Sequence, residues 1–281
     1  MPVEHYENFP VASILLPRRL RGPVALIYRF AREADDFADE GDAPAHVRLQ
    51  QLERFRAELR RLNAGLAPGI PWFSDLGHVI REHNLPVSAF EDLLSAFAQD
   101  VVQSRYASYE QVLDYCRRSA NPVGRLLLAL YGESAREPLA WSDAICSSLQ
   151  LINFLQDVAI DYRKGRIYMP LDEMLRAGIT EQQIAKAETG PAWREFMDFQ
   201  IGRARSLLYF GAPLGRTLKG RIGLEMRMII AGGARILEKI ESVGGDVFRH
   251  RPILGPLDWP LMLVRAMTRS SVIRDPLIRD S

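Results

Sequence analysis

Along most of the chain apolar residues return every three or four positions, and alternating runs rich in Val and Thr are scarce. That period predicts helices over GPVALIYRFAREADDFADEGD (22–42), HVRLQQLERFRAELRRLNAGL (46–66), AFEDLLSAFAQDVVQSRY (89–106) and SYEQVLDYCRRSANPVGRLLLALYG (108–132). It predicts three more over SDAICSSLQLINFLQDVAIDYRKG (142–165), AWREFMDFQIGRARSLLYFGAPL (192–214) and GLEMRMIIAGGARILEKIES (223–242). Gly and Pro cluster between them, in GDAP, LAPGIPW, GESAREP, GAPLGR, VGGD and RHRPILGP, and mark the turns. No internal repeat, low-complexity linker or shift of composition separates one part from another. The expectation is a single all-α domain over residues 1–281.

Two of these helices carry polar residues in the middle of apolar text. Tyr28, Arg32, Asp35 and Asp39 stand at i, i+4, i+7 and i+11, one stripe of a helix. Gln150, Asn153, Asp157, Asp161 and Lys164 stand at i, i+3, i+7, i+11 and i+14, again one stripe, with Arg163 and Arg166 close by. An acid pair at i, i+4 on one helix reads as a solvated face. Two such pairs, each on an otherwise apolar helix with basic residues beside it, read instead as carboxylates turned toward an interior. Facing each other, they would form a rim for Mg²⁺, a hard cation that takes carboxylate and substrate phosphate oxygens. The ions would hold a diphosphate, which the nearby arginines and lysine would also grip.

Charge and composition mainly exclude. Thirty-six basic residues against 35 acidic ones leave a net charge of +1, which argues against nucleic acid as a partner. His5, His46, His78, His83 and His250 show no zinc-ligand spacing, and no phosphate-binding glycine loop or dinucleotide motif is present. Cys116 and Cys146 read as reduced, packed thiols in a cytoplasmic protein. The N-terminus lacks the pattern of a secretory signal, and no uncharged apolar run is long enough to span a bilayer. From Arg249 onward six arginines face three aspartates around PLDWPLMLVRAM. That tail fits either peripheral contact with an anionic membrane surface or a terminal helix packed on the body.

YRFAREADDFADEGD (28–42) and NFLQDVAIDYRKGRIYMP (153–170) resemble the two aspartate-rich motifs of the squalene and phytoene synthase family. The resemblance runs from about Asn8 to Phe248 and includes ENFPVAS near the start and YCRRSANPVGRL in the middle. Within the family it points to bacterial members that form hydroxysqualene for hopanoid synthesis. It implies a bundle of α-helices around a deep apolar cavity, metal ligation by Asp35, Asp39, Asn153, Asp157 and Asp161, and active-site roles for Tyr28, Tyr115 and Tyr168. Arg32, Lys164 and Arg166 would bind the diphosphate, with Gln150 and Arg118 as further substrate contacts. The implied reaction ionises presqualene diphosphate with Mg²⁺, and water in place of NADPH hydride quenches the rearranged cation. It also implies neighbours in the pathway, a presqualene diphosphate synthase and a hydroxysqualene reductase. The alternatives are head-to-head condensation of two farnesyl diphosphates and a catalytically silent prenyl-lipid-binding subunit.

Departures from the family pattern locate the specificity. Gln156 stands where squalene and dehydrosqualene synthases usually have arginine, which lowers the positive charge expected near a diphosphate. Arg117, Arg118, Ser119 and Asn121 replace smaller, more apolar residues. Were the helix to run on through Pro122, the carbonyl of Arg118 would be released, and Ser119 or Asn121 could help it hold the quenching water. Satisfying a kinked helix is the plainer role for Arg118 and Asn121. Gly232-Gly233 reads as a close helix approach or as a widening of the tunnel, and Gly245 lies in the VGGD turn, near which the family often carries a cavity-capping aromatic.

Overall fold

Among residues 16–268, which the computed structural model describes, the chain folds almost entirely as helices. In order these are α1 (Arg18–Asp39), α2 (Ala45–Asn63), α3 (Phe73–Glu82), α4 (Val87–Val102), α5 (Tyr109–Ser119), α6 (Asn121–Leu130) and α7 (Arg136–Gln156). They continue with α8 (Val158–Arg163), α9 (Leu171–Arg176), α10 (Glu181–Ala185), α11 (Pro191–Gly211), α12 (Leu214–Thr217), α13 (Gly220–Ser242) and α14 (Asp258–Met267). Extended pairing among the described residues is confined to one bridge, Arg105 to Ile167. His5, the segment Glu7–Ser13 and the tail arginines Arg269, Arg274 and Arg279 lie outside the described residues.

On α1, Leu20, Val24, Ile27, Phe30, Ala34 and Ala38 are buried at helical spacing. That apolar stripe leaves the Tyr28–Asp39 stripe on another face of the same helix. Phe30 is the hub of the first core cluster, with Phe55, Phe73 and Phe90 rings 5.5, 6.0 and 5.0 Å away. A second cluster gathers the buried faces of α5, α7, α11 and α13. Helix α6 joins the two, since Leu126 and Leu130 belong to the first and Leu128 to the second. Its contact with α7 is tight at Gly124, where a Cβ would come within 2.4 Å of Ser142 Oγ and 2.6 Å of Cys146 Sγ. Gly233 likewise lets α13 approach Leu149 and Ile152 of α7, as the glycine pair led us to expect.

Three local expectations change. The segment 108–132 is two helices, separated by Ala120, so Pro122 sits in the first turn of α6. There its missing N–H costs nothing, because first-turn donors have no partner within the helix. The second aspartate motif is also interrupted, at Asp157, whose carbonyl nevertheless accepts from Ile160 and Asp161 and keeps the chain turning. At the VGGD turn, Gly245 adopts φ +75° and accepts a hydrogen bond from Trp193 Nε1 at 3.0 Å. Trp193 packs on Phe248 at 4.9 Å, so aromatics from α11 and the following loop fill that corner.

Candidate active site

The two aspartate stripes meet because of a helix stop. Gly165 takes φ +78°, and the Gly165 and Arg166 N–H groups bond back to the carbonyls of Tyr162 and Asp161. This left-handed cap reverses the chain after α8. It sends Lys164 and Arg166 across to α1, where Lys164 Nζ lies 3.1 Å from Asp39 Oδ2 and Arg166 Nη1 2.5 Å from Asp39 Oδ1. Arg166 also donates to the Asp100 carbonyl at 3.2 Å, tying in α4.

Electrostatics follow from that crowding. Burial pushes the Asp35 carboxyl up to about 6, and the charge of Asp39 adds to the rise. Burial also works to raise Asp39, but Arg166 and Lys164 outweigh it and hold the group below its usual range. Asp161 is pushed up to about 7 by burial and by Asp157, with Asp39 of the opposite stripe contributing. Arg32 stays on its own helix, 2.8 Å from Asp36, 3.6 Å from Asp35 and 3.2 Å from Glu40. Tyr28 and Gln150 are half-buried and Asn153 is exposed on its stripe.

Below the carboxylates lies an aromatic cluster. Tyr168 stacks on Phe154 at 3.9 Å, with Tyr106 at 5.5 Å and Tyr115 at 5.7 Å from it. Phe154 and Tyr168 also line a small cavity with Val112, Leu151, Leu155 and Met169. Tyr115 donates to Asp100 Oδ2 at 2.6 Å and Tyr168 to Asp100 Oδ1 at 3.3 Å. Arg118 is held between α4 and α5 by Ser95, Gln99 and Asp114. Asn121 accepts from Ser147 Oγ at 2.9 Å, whereas Ser119 Oγ is buried with no hydrogen-bond partner among the described residues. Burial pushes both cysteine thiols up to about 12, as befits packed thiols.

Sequence reasoning missed two residues. Asp100 is one, a buried carboxylate on α4. Arg251 is the other, its Nη2 3.0 Å from Asp157 Oδ2. Next to it Gln156 is 1% exposed and donates to the Pro252 carbonyl at 2.6 Å. The chain after α13 is thus strapped over the end of α7, and Arg251 brings to Asp157 a guanidinium that Gln156 does not provide.

Among the described residues no three acidic or histidine side chains gather around one point. Mg²⁺ does not require that, because it is commonly held by one or two carboxylates with the rest of its shell from water and substrate phosphates. Two pairs of hard oxygen donors, in which Asp39 raises Asp35 and Asp157 raises Asp161, fit such an ion, and Asp35, Asp39, Asp157 and Asp161 would be the ones to hold it.

A helical bundle with two opposed aspartate stripes above an aromatic-lined interior defines the isoprenoid-synthase class. The squalene/phytoene synthase family profile matches residues 3–258, and the chain belongs to that family of enzymes. It is 36% identical to a hydroxysqualene synthase of Rhodopseudomonas palustris over 270 residues, 95% of this chain and 90% of that protein. It is 28% identical to a 15-cis-phytoene synthase of Synechococcus elongatus over 279 residues, 95% of this chain and 90% of that one. The crystal structure of squalene synthase HpnC from Alicyclobacillus acidocaldarius superposes with a TM-score of 0.79 at 35% identity, over 85% of this chain and 90% of that one.

Proposed function

We propose that the chain, acting as one domain, is a hydroxysqualene synthase that converts presqualene diphosphate and water to hydroxysqualene and diphosphate. The observation that carries this reading is the junction at Asp39, where Lys164 and Arg166 bring the two stripes together directly above the Tyr115–Phe154–Tyr168 cluster. The similarity to the Rhodopseudomonas enzyme supports the same substrate. Mg²⁺ bound by the aspartates would neutralise the charge that develops on the departing diphosphate. Arg32, Lys164 and Arg166 donate charge-assisted hydrogen bonds to that group, with Gln150 and Asn153 beside them. Tyr28 lines the approach on α1. The faces of Tyr115, Phe154 and Tyr168 stabilise the cation left behind. Ser119 holds the quenching water, with Asn121 fixing the start of α6 next to it. Arg118 serves the site by clamping α4 to α5. Because water ends the reaction, no NADPH is needed, and a separate reductase removes the hydroxyl later.

The second reading is head-to-head condensation of two farnesyl diphosphates, favoured by Arg251, which supplies positive charge beside Gln156. Purified protein with Mg²⁺ and no NADPH, given presqualene diphosphate or farnesyl diphosphate, decides between them by mass spectrometry of the products. Hydroxysqualene from presqualene diphosphate alone is the expected result. Product from farnesyl diphosphate would establish the condensation.

Metal binding has its own expected signature. Burial pushes Asp35 up to about 6 and Asp161 up to about 7, above their unfolded values, so the folded chain binds extra protons between pH ~4 and ~7. Stability without metal therefore falls as pH rises through that window. An ion that binds the ionised forms reverses the loss. Mg²⁺ at ~100 times its Kd should raise the Tm by about 5 °C at pH ~7.5 and by much less at pH ~5. Equal shifts at both pH values in thermal unfolding would remove the aspartates from the metal site.

Among the described residues no helix is long and apolar enough to cross a membrane. Helix α14 packs on α13 yet exposes Trp259, Leu263, Val264 and Met267. A C30 substrate partitions into lipid, and this face beside the Arg251 strap is where we place peripheral contact with an anionic bilayer.

A further inference from the structure

We propose that Asp100, acting through the hydroxyls of Tyr115 and Tyr168, takes up the proton released when water adds to the substrate-derived cation. This rests on the water-quenched reading above and assigns a step that it leaves without an acceptor.

Four observations converge. Asp100 is 8% exposed, and both its carboxylate oxygens accept from tyrosine hydroxyls on separate segments, Tyr115 of α5 and Tyr168 after α8. A buried carboxylate is costly to maintain, and a helix clamp does not need one. It lies where the two halves of the site join. Arg166 connects its backbone to Asp39 at the diphosphate end, and Tyr168 lines the small cavity that Leu151, Phe154 and Met169 share with Gln200 and Arg203. Ser119 follows Tyr115 by one helical turn on α5, and its buried hydroxyl has no partner among the described residues. A water held there would stand on the same face of α5 as Tyr115. Finally, burial sets Asp100 up to about 7, against the pull of the Tyr115 hydrogen bond and Arg166 and with the help of Asp39 and Asp35. Such a group can both accept and return a proton near neutral pH. Tyr106 and Gln99 complete its surroundings, and Tyr115 and Tyr168 themselves are held far above the usual phenol range, so neither keeps the charge.

The step balances without a redox partner. A lone pair of the water oxygen forms the C–O bond to the cation, and one O–H bond of that water breaks. Its proton passes to the Tyr115 oxygen as the Tyr115 proton passes to Asp100 Oδ2. The products are the alcohol and a neutral Asp100 carboxyl, which gives its proton to bulk water between turnovers. Without this acceptor the released diphosphate is the remaining base, and it favours loss of a carbon-bound proton from the cation.

The test is Asp100→Asn, which keeps the shape, assayed with presqualene diphosphate and Mg²⁺ for diphosphate release and for product identity. The expected result is a ratio of alcohol to eliminated hydrocarbon down by about tenfold or more, whatever the change in the rate of diphosphate release. A merely structural role would slow release and product alike, so an unchanged ratio at any rate overturns the proposal. Should the variant fail to fold, the Tyr115→Phe, Tyr168→Phe double variant retains Asp100 and cuts the relay. The same fall in ratio is expected there, and an unchanged ratio is equally fatal. Wild-type protein that forms no alcohol removes the functional reading and this step together.

Discussion

Replacing Asp35 and Asp39 together, or Asp157 and Asp161 together, by asparagine should lower turnover of presqualene diphosphate by about 10³-fold or more. One preorganised electrostatic partner is commonly worth about 10² to 10³ in rate, and each pair supplies two. The pairs should not behave alike without metal. Asp39 is held by Lys164 and Arg166, so its loss leaves two cations facing Asp161. Asp157 is held by Arg251, so its loss frees the strap from α7. The first variant should therefore keep the chain's Tm near wild type at neutral pH, because relief of Asp35–Asp39 repulsion offsets lost ion pairs, and the second should loosen residues 249–254 to proteolysis. Diphosphate release at saturating Mg²⁺ checks the rate. Retention of more than a tenth of wild-type activity in either variant would take that stripe out of the reaction.

The helices that could be read from sequence are those with a long apolar stripe. The α1 stripe from Leu20 to Ala38 predicts both the helix and the face left for Asp35 and Asp39. Periodicity could not show the stop at Ala120, since residues on both sides keep helical spacing and only Pro122 hints at a new start. Short elements such as α9, α10 and α12 carry one or two turns, too few for a period to declare itself. Helix α3 hides behind the glycines and prolines of LAPGIPW, and α14 appears in the tail only as one of two readings.

Candidate site residues are legible where chemistry recurs along one helix and opaque where a constellation is assembled across helices. Asp100 reads as a single acid in AFAQDVV, and its meaning lies in Tyr115, 15 residues on, and Tyr168, 68 residues on. Arg251 sits 94 residues from Asp157. No spacing rule reaches that far. Gln156 illustrates the converse, a substitution whose charge deficit is legible and whose compensation by Arg251 is not.

Arg166 is the residue whose loss should separate structure from chemistry most cleanly. Its side chain, 13% exposed, spans from the Asp39 carboxylate on α1 to the Asp100 carbonyl on α4. Alanine there leaves Asp39 with Lys164 alone and opens the junction between the diphosphate end and the aromatic cluster. Breaking a buried ion pair costs up to about 3–5 kcal/mol. Lys164 remains and the site is partly wet, so about 2 kcal/mol is the expected loss here. Turnover should fall by about 10²-fold, because in the proposed reaction the guanidinium would also serve the departing diphosphate. Lysine discriminates between the two effects. It restores a positive charge for Asp39 but cannot span both partners with a planar fork. Arg166→Lys should therefore recover most of the Tm while kcat stays at least about tenfold below wild type. Full recovery of kcat by lysine would show that Arg166 acts as a point charge only, and that the α1–α4 bridge it makes is not used in the reaction.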